Sequence, residues 1–242
     1  RGEKLRGRGQ RCGEYGQVMG SGVVRVRCCE VLLCKHGCEI LPPPNHAVSR
    51  LLNAIGEALC SDGIDVLTAV KKSCKTYPEV WNDAGHRQIA IEVLLSLGTN
   101  VILSGLDEES YGTSLQIAMC MLILECYDSQ HNFKYAYDCT SVKGSVFANG
   151  GGKRDVLKFY SKRLTSCTCL KEKYKQARKT LPKLGDCICC EQRKGRASLM
   201  TCGRCKIPLY CSRECQVAGW PVHNEECERF VAIRQRQEAA EA

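Results

Sequence analysis

From Ala47 onward the apolar residues recur at helical spacing. Leu51, Leu52, Ile55, Leu59 and Cys60 fall three and four apart and so share one helix face, and Ile64, Leu67, Val70 and Cys74 repeat the pattern up to Pro78. Asn82 or Asp83 is placed to cap a third helix through Ile89, Ile91, Val93, Leu94 and Leu97, with Gly98 near its end. A fourth run, Leu115 to Cys126 with Met119, Met121 and Leu124, is apolar nearly all round, which predicts the central helix of a core. Gly150, Gly151 and Gly152 read as a linker before a short amphipathic helix carrying Val156, Leu157, Phe159 and Tyr160. Strand signals are sparse throughout. The pattern predicts an all-α helical domain over residues 46–180. Ahead of it, residues 1–45 form a basic, Gly/Arg-rich and cysteine-containing segment that reads as largely irregular, ended by Pro42, Pro43 and Pro44.

The chain has 242 residues, 44% of them hydrophobic, which suits one or two domains with a modest core. No apolar run reaches the 18 or so residues of a membrane-spanning helix. The first residue is Arg1, so the sequence reads as a fragment, a processed product or an incomplete gene model. The formal charge is +9, concentrated in Arg1 to Arg27 and Lys153 to Lys183. Such patches can contact nucleic acid or acidic lipid. Here no aromatic residues interleave with the charge, so a solvated surface is the expected reading, with no membrane partner and nucleic acid kept as an alternative only.

Cysteine changes the picture. Eight of the twenty cysteines lie between Cys187 and Cys227, whereas those in the middle of the chain are scattered singly through apolar segments. Cys60, Cys74, Cys120 and Cys126 sit at apolar helical positions and read as small core residues. This distribution points to an intracellular, reducing compartment, nucleus or cytoplasm. Catalytic signals are lacking. Gly150-Gly151-Gly152-Lys153 has neither the Walker spacing nor its Ser/Thr. His86 and His131 have no cysteine or carboxylate at reactive spacing. No enzyme is expected.

The segment from Cys187 to Cys227 reads as four pairs. Cys187-x2-Cys190 is followed after eleven residues by Cys202-x2-Cys205, then after five by Cys211-x3-Cys215, then after seven by His223-x3-Cys227. The x2 pairs are knuckles, whose tight turn brings both sulfurs to one side as tetrahedral zinc requires. The x3 pairs stand at i and i+4, so each is expected on a short helix that presents two ligands to one ion. Eight ligands make two closed four-coordinate sites of the structural type, without an open position for catalysis. Cys189 beside Cys190 makes the second ligand ambiguous by one residue; Cys190 keeps the x2 knuckle. Spacing alone leaves open which pairs share an ion.

The order C-x2-C, C-x2-C, C-x3-C, H-x3-C resembles the MYND family of zinc fingers, as do Leu209-Tyr210-Cys211-Ser212 and Cys215-Gln216-Val217-Ala218-Gly219-Trp220-Pro221-Val222-His223. The resemblance covers about a sixth of the chain. It implies an interleaved cross-brace, with Cys187, Cys190, Cys211 and Cys215 on one zinc and Cys202, Cys205, His223 and Cys227 on the other. It also implies a protein-interaction module in which Gln216 and Trp220 line a groove for a short proline-containing peptide. The expected fold is therefore an all-α helical domain followed by a small zinc-stabilised finger at 187–227, with two Zn²⁺ per chain, and a charged helical tail at 228–242. The expected function is that of an interaction adaptor. The alternatives are a SET-type lysine methyltransferase relative, disfavoured by the fifteen residues after Cys227 and the lack of a cofactor motif, and a basic nucleic-acid-associated protein.

One further ligand set is weighed. Cys34 and His36, with Cys38 close by, precede the helical domain, and Cys167 and Cys169 follow it. Together they could supply a third zinc that clips the domain's ends. Their x1 spacing is less typical of zinc than x2, so free or buried thiols are the reading kept.

Overall fold

The computed structural model describes residues 46–60, 66–105, 107–127 and 133–241. Its helices are α1 (His46–Cys60), α2 (Val66–Thr76), α3 (Pro78–Trp81), α4 (Ala84–Ser104), α5 (Glu108–Cys126), α6 (Phe133–Lys143), α7 (Ser145–Ala148), α8 (Lys153–Arg163), α9 (Thr168–Thr180) and α10 (Arg213–Glu241). Between α9 and α10 lie four short strands, β1 (Leu184–Asp186), β2 (Arg193–Gly195), β3 (Met200–Thr201) and β4 (Leu209–Tyr210). They pair as two antiparallel ladders, with Gly185 opposite Lys194 and Met200 opposite Tyr210. The structure is mostly helical, as the periodicity predicts.

Helix α5 is the centre of the helical body: Ile117, Ala118, Cys120, Met121, Leu122, Ile123 and Leu124 are all buried along it. Its start is set by Asp107, whose carboxylate accepts from Ser110 N at 2.8 Å. Asp83, of the two candidates, caps α4 in the same way, accepting from His86 N at 2.7 Å. Helix α4 does not end at Gly98 but continues to Ser104. The glycine serves packing instead, because a Cβ there would stand 2.0 Å from Tyr160 Oη. Tyr160 of α8 crosses α4 at that point and donates to Ser114 O of α5 at 2.8 Å, pinning three helices together. Trp81 closes one end, edge-on to Tyr127 and Phe133.

The core thiols fit their expected place in part. Cys120 is buried, Cys74 and Cys126 are half-buried, and burial pushes the Cys126 thiol up to about 11. Cys167 and Cys169 pack into the helical core. Cys34, His36 and Cys38, their suggested partners in a third metal site, lie outside the described residues, as does His131.

The segment read as a Gly linker is a tight junction. Gly150 has φ +68°, and a Cβ on it would stand 1.9 Å from Asp186 Oδ2. Asp186 in turn takes Arg193 Nε at 2.8 Å. The neighbouring Asn149 is 4% exposed and stitches the two parts of the chain together. Its Nδ2 donates to Ser145 O at 2.6 Å and to Ile207 O at 2.5 Å, while its carbonyl accepts from Asp186 N at 3.0 Å. Asn149→Ala leaves the Ile207 carbonyl without this donor, and a buried unpaired polar group costs about 1–3 kcal/mol. The expected result is a lower urea midpoint at unchanged metal content; an unchanged midpoint would show the junction to be dispensable.

Residues 228–241 of the expected helical tail are helical and continue α10, which runs unbroken from Arg213 to Glu241 with Pro221 inside it. The reason is burial: Phe230 and Ile233 are covered, and Val142 of α6 packs against Phe230's cluster. Arg229 Nε meets Asp138 Oδ2 of α6 at 3.3 Å, and Asp138 Oδ1 takes Lys134 Nζ at 2.7 Å.

Candidate metal centre

Both knuckles are built alike. Cys187 O accepts from Glu191 N at 2.8 Å, and Cys202 O accepts from Lys206 N at 3.1 Å. In each turn the residue after the second cysteine is left-handed, Glu191 at φ 58° and Lys206 at φ 59°. The turns aim backbone N–H groups at the first sulfur of each pair. Burial would raise the Cys187 thiol, but the N–H groups of Cys190, Cys211 and Cys189 outweigh it and bring it down to about 6. Cys202 is lowered too, with the N–H groups of Cys205 and Arg204 acting against burial. Oriented amides of this kind favour a thiolate, the form that binds metal.

The remaining four ligand candidates come from the region around α10, and here the expected two short helices are corrected. Cys211 follows β4 and lies outside α10. Ser212 stands next as its N-cap, with Oγ accepting from Cys215 N at 3.2 Å. Cys211 and Cys215 therefore straddle a helix start, whereas His223 and Cys227 share one face of α10 as an i, i+4 pair. One long helix, not two short ones, carries three of the four.

The eight side chains gather into two groups, Cys187, Cys190, Cys211 and Cys215 in one, Cys202, Cys205, His223 and Cys227 in the other. Within each group the ligand atoms lie within 4.8 Å of one another. The grouping is interleaved: each knuckle closes with residues beyond the next pair. Cys190 and Cys211 sulfurs are 3.5 Å apart, as are Cys211 and Cys215; Cys202 and Cys227 are 3.8 Å apart; Cys205 Sγ is 3.4 Å from His223 Nε2. A zinc–sulfur tetrahedron has an edge of about 3.8 Å, so each set fits one zinc ion, with Nε2 as the histidine donor. Burial lowers the His223 imidazole, holding it neutral as a ligand must be. Cys189 is exposed and belongs to neither group.

The second group is the dry one, with all four members buried, and it shares its cluster with Tyr210, Ile207 and Phe230. In the first group only Cys187 is fully buried. Trp220 lies edge-on to His223 with ring centroids 5.9 Å apart. One turn before it stands Gln216, whose Oε1 accepts from Arg213 Nη1 at 2.7 Å. Both line a groove of about 410 Å³ between α10 and the second knuckle, together with Val217, Arg213 and Arg204. The sequence motifs give none of the last three a role in a groove. Arg204, lodged between Cys202 and Cys205, was visible in the motif.

Residues 187–227 match the MYND finger family. Mouse N-lysine methyltransferase SMYD2 is 47% identical over 47 residues, which are 19% of this chain and 10% of that protein. Human histone-lysine N-methyltransferase SMYD3 is 38% identical over 42 residues, 17% of this chain and 10% of that protein. The chain thus covers about a tenth of the length of these relatives, and the likeness is confined to the cysteine-rich segment. No solved structure matches the chain significantly. What the two groups of ligands build, and what the relatives share with this chain, is one module: residues 187–227 are a MYND finger.

Proposed function

We propose that the finger binds two zinc ions and serves as an intracellular adaptor that grips a short proline-containing peptide of a protein partner. The reading rests above all on the groove in which Gln216 and Trp220 stand one helical turn apart. An indole face suits proline rings, and a side-chain amide suits an extended backbone. Because Oε1 of Gln216 is taken by Arg213, its amide N–H₂ is the end left to donate to a peptide carbonyl. The zinc ions supply rigidity. Each set has four protein ligands and no open position, so the metal's role here is folding rather than catalysis. The methyltransferase activity in the names of the relatives belongs to proteins of which this chain matches about a tenth.

The test is fluorescence polarisation of the zinc-loaded chain with a labelled proline-rich decapeptide. Trp220→Ala is expected to weaken binding about thirtyfold, the effect of a hot-spot aromatic worth ~2 kcal/mol. Gln216→Ala removes one neutral hydrogen bond and is expected to cost about fivefold. Zinc content should stay constant in both. Loss of metal from both variants would make these residues structural and remove the support for a peptide groove.

A further inference from the structure

We infer that the groove selects peptides bearing an acidic side chain, Asp or Glu, next to the proline. The inference rests on the peptide reading above and adds its charge. Arg204 and Arg213 both line the groove, one from the second knuckle and one from the first turn of α10, and both are exposed. Among the described residues neither meets a carboxylate. Arg213 donates to the neutral amide of Gln216, and Glu214, its acidic neighbour in sequence, turns to the Ser212 hydroxyl instead. Two exposed arginines elsewhere do find such partners, Arg193 in Asp186 and Arg50 in Glu79. Two uncompensated guanidiniums beside an indole and a half-exposed amide make a surface complementary to a negatively charged ligand. A guanidinium's planar fork matches a carboxylate bidentately. Val217, 62% exposed in the same groove, supplies an apolar contact that a peptide can cover and a phosphodiester backbone cannot use.

Polarisation measurements on the zinc-loaded full chain test this with three labelled peptides sharing one proline-containing core and flanked by Asp, Asn or Lys. The Asp peptide is expected to bind about fivefold tighter than the Asn peptide at low salt, and the Lys peptide more weakly than both, in keeping with exposed ion pairs of modest strength. Arg204→Gln should reduce the Asp/Asn ratio toward one, through a larger loss for the Asp peptide than for the Asn peptide. Arg204→Glu should shift preference toward the Lys peptide, a reversal that a merely structural arginine does not produce; zinc content checks that each variant folds. Equal binding of the Asp and Asn peptides by the unaltered chain, with Trp220→Ala still harmful, overturns the acidic preference but keeps the proline groove. Insensitivity of every peptide to Trp220→Ala instead removes the groove itself. A single-stranded oligonucleotide that binds more tightly than the Asp peptide, and loses that binding in Arg204→Gln, overturns the inference in favour of nucleic acid.

Discussion

Chelation of the zinc-loaded chain is expected to unfold the finger and α10 while leaving α1 to α9 folded. Residues 187–227 carry short strands, the first half of α10 and a small cluster of buried side chains, too little apolar surface to fold alone. Structural zinc in small fingers contributes on the order of 10–16 kcal/mol of apparent binding free energy, so its removal exceeds any single side-chain change in this chain. The helical body has its own core, in which no residue of the finger takes part. Far-UV circular dichroism should therefore lose no more helix than the 29 residues of α10 hold, and elemental analysis should fall from two zinc ions to none. Complete loss of helicity would mean that the body depends on the finger. Paired serine substitutions test the interleaving. Cys187→Ser with Cys211→Ser disables one group and should leave one zinc per chain, whereas Cys187→Ser with Cys202→Ser should leave none. Sequential pairing of the knuckles gives the opposite pattern.

What could be read from the sequence was local. A knuckle's chemistry sits within four residues, so Cys187-x2-Cys190 and Cys202-x2-Cys205 announce themselves. Caps such as Asp83, and the apolar run of α5, are legible for the same reason. Helices α6 and α9 were not. In α9 only Leu170 and Ala177 are buried, so its lysines dominate the pattern and it reads as a charge run. The long-range docking was equally hidden. Asp138 and Arg229 are 91 positions apart, and nothing near either residue points to the other. The same docking carries α10 past Cys227, where Phe230 and Ile233 are covered and Arg229 meets Asp138. The grouping of ligand pairs has the same character, since spacing permits several arrangements and only the folded chain selects one.

Gly98 is the sharpest case of a residue whose local reading and tertiary role diverge, and Gly98→Ala is expected to destabilise the helical body by about 3 kcal/mol, the upper end of ordinary overpacking. On helix propensity alone the change should stabilise, because alanine is preferred to glycine within a helix by up to about 1 kcal/mol. Packing opposes this. The new methyl would stand 2.0 Å from Tyr160 Oη, 2.4 Å from Cζ and 2.6 Å from Cε1, all far inside contact distance. The ring cannot swing clear: Tyr160 is fully buried, its hydroxyl is held by Ser114 O at 2.8 Å, and Phe159 stacks edge-on beside it. Tyr160→Phe removes only the nearest of the three atoms and should relieve the clash in part. Tyr160→Leu clears the ring altogether, at the cost of a cavity and the lost hydrogen bond. A double-mutant cycle in urea then decides between the two effects. If packing dominates, Gly98→Ala costs about 3 kcal/mol beside Tyr160 and nothing, or a small gain, beside Leu. Equal effects in both backgrounds would show that α4 and α8 do not approach each other at this glycine.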